Sequence, residues 1–358
     1  MSGSRQLANF AAKLAKDYGP EQAPLDADPD VVIVPTGSVA LDWALRLGGW
    51  RQGRIYEIIG VKDAGKSSLV LTGAAIHQRI FPDRGVAYLD IEKTFEPPWA
   101  TALGVDCSKK ARREGRWIHL FPKDSESASD MARDNASSGL VSLIIVDSVG
   151  GMESKKAFDK DAAKAQVGSN SQVITRMSKA LATLARNNDA TILLVNQYRA
   201  NVGVPMGGDV SAGPKAMQHA TTAKVEMAQV FREGATPREA EFYGAKEITG
   251  RMSRARVSRM KTGAPSRVAE FWINTQPTEK YGPQGIDSGD EYLQTGLKVG
   301  AIQQQPGGYY AMPGGERFHG KDALLSKLRS EQSARDEVRA AIPFEKPSAD
   351  DDLEELNA

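Results

Sequence analysis

The chain has 358 residues, 41% hydrophobic and 25% charged, with a formal net charge of +1. This is the composition of an ordinary globular protein, long enough for one large core and small appendages. It excludes a membrane-spanning helix, since no apolar run is long enough, and an intramolecular disulfide, since Cys107 stands alone.

Leu7, Phe10, Leu14 and Tyr18 share one helical stripe that ends at Gly19. An acidic, proline-bearing stretch, 20–30, follows, so the stripe packs either on the chain's own core or on another subunit. No secretory apolar segment opens the chain, and a cytoplasmic location is expected. Pro35-Thr36-Gly37-Ser38 starts a second helix over 39–47, which ends at Gly48-Gly49. Apolar runs at 55–59, 85–90, 117–121, 141–146 and 191–195 then alternate with helical segments, including 125–137 and 171–187. The alternation predicts an α/β fold with a mainly parallel, doubly wound sheet. Glycine-rich sequence at 203–213 interrupts it, and β-rich stretches follow at 224–230 and 252–273. Beyond 282 the composition shifts, with short helical patterns at 291–299 and 321–329. The expected organisation is an N-terminal helix and linker (1–34), a core (35–281), a small α/β domain (282–345) and a disordered acidic tail (346–358). His77, His119, His219 and His319 are scattered and form no metal-ligand spacing.

The chemistry centres on Gly60-Val61-Lys62-Asp63-Ala64-Gly65-Lys66-Ser67, a complete phosphate-loop motif, with Ser68 opening the helix behind it. A β-branched strand pattern precedes the loop and an apolar helical pattern follows. Backbone N–H groups and a helix N-terminus would then face phosphates. Lys66 would reach the β/γ-phosphates of ATP, and Ser67 would hold Mg²⁺. Leu143-Ile144-Ile145-Val146-Asp147-Ser148 is an apolar strand ending in an acid; together with the loop it points to Asp147 as a second Mg²⁺ ligand, through water. A second acid-ended strand, Val86–Glu92, puts Glu92 within reach of an attacking water, with a cap or ion-pair role equally open on spacing alone. Any nucleic-acid binding must come from local patches, because the net charge is so small.

At this point the residues resemble the bacterial RecA recombinases, in a phage-encoded or otherwise divergent version, over about 5–341. Pro35-Thr36-Gly37-Ser38-Val39-Ala40-Leu41-Asp42, Gly48-Gly49 and Gly53-Arg54-Ile55 carry the likeness before the loop. Asp90-Ile91-Glu92, Val146-Asp147-Ser148-Val149, Asn196-Gln197-Tyr198-Arg199, Lys261-Thr262-Gly263-Ala264-Pro265 and Ala269-Glu270-Phe271 carry it after. The resemblance implies a RecA-like P-loop ATPase core and makes Glu92 the catalytic glutamate. It places Glu96 and Trp99 at the adenine and makes Gln197 the γ-phosphate sensor. It has Arg259 and Lys261 reach the nucleotide of a neighbouring subunit. Two DNA-binding loops are implied, near 156–168 with Lys156, Lys160 and Lys164, and near 203–218 with Met206, Gly213 and Lys215; Arg176 lies just past the first.

Departures from the family pattern are a longer, lysine-rich first loop and a second loop offering Met206 and Met217 where an aromatic is usual. Thr275 stands at the second adenine-side aromatic, and the basic run 109–116 reads as a solvated loop. Six basic residues between Gly250 and Arg267 have no acid among them, so the run is expected to self-repel within one subunit. The implied activity is a DNA-dependent ATPase that assembles head to tail on single-stranded DNA and pairs it with homologous duplex DNA. A hexameric helicase with the same core, or a non-catalytic filament-forming regulator, are the alternatives.

Overall fold

The computed structural model describes residues 31–153, 169–199, 210–211, 214–232, 234–242, 244–261, 263 and 267–345, with helix at 9–10, 12–14 and 16–17. Lys156, Lys160, Lys164, Met206, Gly213 and the acidic tail lie outside these residues. The chain divides into two compact units, Ile33–Lys346 and the two termini; every element below belongs to the first.

In chain order the elements are β1 (Ile33–Val34), α1 (Val39–Ala44), β2 (Trp50–Arg51), β3 (Ile55–Gly60), α2 (Lys66–Ile80), β4 (Gly85–Asp90), α3 (Pro97–Ala102), α4 (Lys109–Arg113) and β5 (Trp117–Leu120). Then come α5 (Ser125–Ser137), β6 (Val141–Asp147), α6 (Ser169–Asn187), β7 (Thr191–Asn196), β8 (Tyr198–Arg199), β9 (Val210–Ser211), α7 (Lys215–Ala220), β10 (Ala223–Gln229), β11 (Arg238–Phe242), β12 (Ala245–Met260) and β13 (Val268–Asn274). The last region holds β14 (Gly285–Ile286), α8 (Ser288–Val299), β15 (Gln303–Gln305), β16 (Tyr309–Ala311), β17 (Arg317–His319), α9 (Lys321–Ser330) and α10 (Gln332–Ala341).

Among the described residues one ten-stranded sheet runs β14-β13-β12-β10-β3-β7-β6-β4-β5, with β11 paired to β12. From β10 to β5 the neighbours are parallel; beyond β10 they are antiparallel. Burial explains the parallel part. β3, β4, β6 and β7 are buried at every position, as strands covered on both faces must be. One face packs under α2 through Leu69, Val70 and Ala74. The other packs under α5 and α6 through Ala132, Met177 and Leu181. This is the doubly wound, mainly parallel arrangement expected. No helix among the described residues is long and apolar enough to cross a membrane.

Three local readings change. Helix α1 ends at Ala44, not at 47, because Arg46 takes φ 67 and turns the chain before the glycines. The run 109–116 is not a loop throughout: Ser108 caps α4 through Ala111 N, and Ala111 is that helix's buried residue. Arg116 is tied to Asp106 and Glu114. The second of the two implied DNA-binding loops ends in helix α7, where Met217 is fully buried in the α5/α6 face of the core. Met217 is therefore a packing residue and has no free side chain to insert between bases.

A third apolar cluster joins Leu293, Ile302, Leu324, Leu328 and Val338 to Val39 of α1. Its contact with the sheet region contains buried charge. Arg339 bridges Asp42 at 2.6 Å and donates to Gly48 O. Glu291 is 1% exposed and accepts from Ser38 Oγ and, at 3.3 Å, from Ala40 N. Burial pushes the Glu291 carboxyl up to about 8, and nearby Asp42 adds to the rise. A raised carboxyl means that the folded state holds a proton the unfolded chain gives up. Stability is then lost as pH climbs from the ordinary carboxylate range through about 8. Glu291→Gln should flatten that decline and raise Tm at pH 8.5 by several degrees relative to the native chain. Thermal unfolding followed from pH 5 to 9 checks this; parallel curves for the two proteins would refute it.

Candidate nucleotide site

Strands β3, β7, β6 and β4 are parallel neighbours, so their C-terminal ends meet at one sheet edge. In open α/β sheets that edge is where ligands bind. The loop after β3 runs into α2, whose N-cap is Gly65 at φ 89. Only glycine takes that conformation without strain. A Cβ at Gly65 would also collide with Ile273 Cδ1, and one at Gly60 with the Met227 carbonyl. At these two glycines the loop therefore lies directly on β10 and β13, with no room for a side chain.

Val61, Lys62, Asp63 and Ser67 are exposed, whereas Lys66 turns back onto the loop. Lys66 Nζ donates to Gly60 O at 2.9 Å and Val61 O at 2.7 Å. Burial holds its ammonium below the usual lysine range, partly offset by Asp147, Glu92 and Asp63. Ser67 Oγ donates to Asp147 Oδ2 at 3.0 Å, and Tyr88 OH donates to the same oxygen at 2.8 Å. Burial raises the Asp147 carboxyl despite these two donors. A buried carboxylate beside a serine hydroxyl is a hard oxygen pair that suits a magnesium ion completed by phosphate oxygens and water. Among the described residues no cluster of three or more His, Cys, Asp or Glu could hold a metal without such help.

Glu92 follows β4 and Gln197 follows β7. Gln197 Nε2 donates to Glu92 Oε1 at 2.6 Å, and Ser148 Oγ donates to the same oxygen. Glu92 thus stands one strand end away from Asp147, held by residues from two other strands. A cavity of about 380 Å³ continues from the loop residues Asp63–Ser68, between Trp99 on one side and Gln229, Arg251, Ser253 and Thr275 on the other. Glu96 is exposed at the N-cap of α3 and does not line this cavity. Arg251 donates to Gln229 at 3.3 Å, and Gln229 donates in turn to Asp63 O at 2.9 Å.

The remaining basic residues do not converge on this loop. Arg259 sits opposite Lys224 in the β10/β12 register, whereas Ser253, which abuts Gly65, sits opposite Gln229. Six strand positions separate them, on the order of 20 Å. Arg259 donates instead to Thr221 O, and burial lowers its guanidinium. Lys261 N bonds to Thr222 O at the same remote end. Arg176 is exposed on α6. The expected self-repulsion of the run 250–267 is not found. Arg254 pairs with Glu270, Arg256 with Glu226 and Arg267 with Glu345. A local sequence window hides these acids, because Glu226 and Glu270 lie on adjacent strands and Glu345 lies past α10.

Sequence reasoning also missed Tyr88, Ser148, Gln229 and Arg251. Ser148 was readable in principle, being next to Asp147. The others depend on strand register.

A phosphate loop on a mainly parallel, doubly wound sheet, with two acids at its C-terminal edge, defines an α/β nucleotide-binding protein with the RecA-like core. A family model described as the RecA N-terminal domain matches residues 6–276. The chain belongs to the RecA family, the recombinases of DNA repair. It is similar to proteins named RecA from Nocardioides sp. (27% identical, covering 98% of this chain and 94% of the relative) and from Frankia casuarinae (27%, 94% and 92%). Protein RecA of Bacteroides thetaiotaomicron is 26% identical, with 96% and 98% covered.

Gly65→Ala should meet both the positive φ and the Ile273 side chain. The expected cost is about 1–3 kcal/mol of stability, with loss of binding of a fluorescent ATP analogue. Titration of that analogue, with urea unfolding alongside, measures both effects. Wild-type affinity in the variant would show that the loop can re-form without this contact.

Proposed function

We propose that this protein is a DNA-dependent ATPase that assembles head to tail into helical filaments on single-stranded DNA and exchanges strands with homologous duplex. The observation that carries the reading is the cluster at the sheet edge: Lys66, Ser67 and Asp147 on one side, Glu92 held by Gln197 and Ser148 on the other. Loop amides and Lys66 would bind the β/γ-phosphates of ATP, and Trp99 would take the base. Ser67 and Asp147 would hold Mg²⁺, which supplies charge neutralisation on the transferred phosphoryl oxygens. Glu92 would orient and deprotonate the attacking water. Gln197, bonded to Glu92 and standing just before β8, would couple the state of the phosphate to the DNA-binding loops, for which Lys156, Lys160, Lys164, Met206, Gly213 and Lys215, with Arg176, are the proposed contacts. Residues 282–345 would act as a small C-terminal domain.

The remote position of Arg259 and Lys261 supports a role for them in trans. About 20 Å of strand separates them from their own loop, too far for one side chain. In a head-to-tail assembly the same residues can meet a neighbour's nucleotide and stabilise the developing charge.

Glu92→Gln keeps the hydrogen-bonding shape but cannot accept the proton. It should bind ATP and hold filaments on single-stranded DNA while turnover falls at least a hundredfold. ATPase assays with and without DNA, and electron microscopy of the same samples, test this; rings in place of filaments would favour the helicase reading. Lys66→Ala and Arg259→Ala/Lys261→Ala proteins should each be nearly inactive alone. Mixed in equal amounts they should regain roughly a quarter of the sites. A co-assembled mixture that stays inactive would remove the trans assignment.

A further inference from the structure

His119, set aside at the level of sequence as a scattered histidine, occupies a defined place behind Glu92. It lies on the edge strand β5, directly opposite Tyr88 of β4. Its side chain is 10% exposed, and its Nε2 lies 3.3 Å from Asp90 Oδ2. Asp90 ends β4, and its two carboxylate oxygens accept from Thr94 N at 3.1 Å and Phe95 N at 3.2 Å. Asp90 thereby closes the turn 91–95 that carries Glu92. The turn is tight: Lys93 within it takes φ 56. At its start, Ile91 N donates to the Asp147 carbonyl at 2.8 Å. Both ends of the turn are therefore anchored, one to β6 and one to Asp90.

The imidazole holds this closure in two ways. Because an anionic Asp90 can only accept, the imidazole is assigned as the donor, with the hydrogen on Nε2. It also packs on Phe95, with ring centroids 4.6 Å apart, and on Phe121, at 4.3 Å. Burial would push the Asp90 carboxyl up, but the hydrogen bonds from His119, Thr94 and Phe95 together hold it below the usual range. It stays an anionic acceptor, as the closure of the turn requires.

We propose that His119 is a positioning residue for Glu92: it orients Asp90, which fixes the 91–95 turn and so aims the Glu92 carboxylate. The inference rests on the reading of Glu92 as the group that activates water. His119 touches neither nucleotide nor metal in this scheme. Its loss changes turnover and leaves nucleotide binding in place, because Lys66, Ser67 and Trp99 are anchored elsewhere.

Two substitutions separate the N–H from the ring. His119→Phe keeps the aromatic packing but removes the donor to Asp90. His119→Gln loses the ring but places an amide N–H where Nε2 stands. In the full-length protein with single-stranded DNA, His119→Phe should lower kcat for ATP about tenfold, with KM changed less than threefold. His119→Gln should stay within threefold of wild type in both. In the protein without nucleotide, amide hydrogen exchange over the 91–96 segment should speed up about tenfold in His119→Phe and remain slow in His119→Gln. Wild-type turnover or unchanged exchange in His119→Phe overturns the proposal, as does a His119→Gln protein as impaired as His119→Phe. Glu92→Gln serves as the control. If that variant turns over normally, the role of Glu92 itself fails and the inference goes with it. If Glu92→Gln is inactive while His119→Phe is normal, only the inference fails.

Discussion

The structure depends on four buried parallel strands that finish side by side. β3, β7, β6 and β4 have no polar face of their own, and both faces are sealed by helices. Within these strands the buried Glu57 of β3 is held by Asn196 Nδ2 at 2.8 Å, and most of the other charged groups stand at the strand ends. That is where Lys66, Gln197, Asp147 and Glu92 stand, one per strand end. Each would be costly inside the sheet. At its rim the same burial sharpens their interactions: Asp147 needs hydroxyl donors from Ser67 and Tyr88, and Lys66 needs carbonyls from its own loop. The chemistry of the rim follows from the dryness of the layer beneath it.

Much of the fold was legible because burial on both faces leaves an unmistakable mark. Unbroken apolar runs defined β4 and β6, and the helical pattern at 125–137 matches the extent of α5. The phosphate loop was legible for a different reason: its glycines are demanded by close contacts with the Met227 carbonyl and the Ile273 side chain, so spelling and geometry coincide. What was hidden depends on register. Tyr88 meets Asp147 across 59 positions, and the acids that pair with Arg254 and Arg256 lie on other strands. No local window contains such partners. The short α4 escaped because its run of lysine and arginine shows no apolar face beyond Ala111.

Charge along β12 illustrates the same point in energetic terms. Read alone, its arginines look like a liability. In the sheet, Arg254 and Arg256 meet Glu270 and Glu226 at a half-exposed surface, where each pair is worth about 1 kcal/mol or less. The pairs contribute modestly to stability; at the far end of the strand Arg259 has Glu57 as its nearby acid and donates to Thr221 O.

Helix α1 has a partner made only after every strand of the large sheet. Asp42 is 1% exposed and is held by Arg339, 297 positions later. Glu345 N then bonds back to Arg46 O. On the ribosome, where domains generally form as they emerge, the sheet can assemble long before Arg339 leaves the exit tunnel. During that interval Asp42 has its amide donor from Thr36 but no counter-ion. Helix α10 thus works as a late fastener, and a nascent or truncated product lacking it would carry an exposed α1 surface that chaperones and proteases can distinguish from the finished molecule.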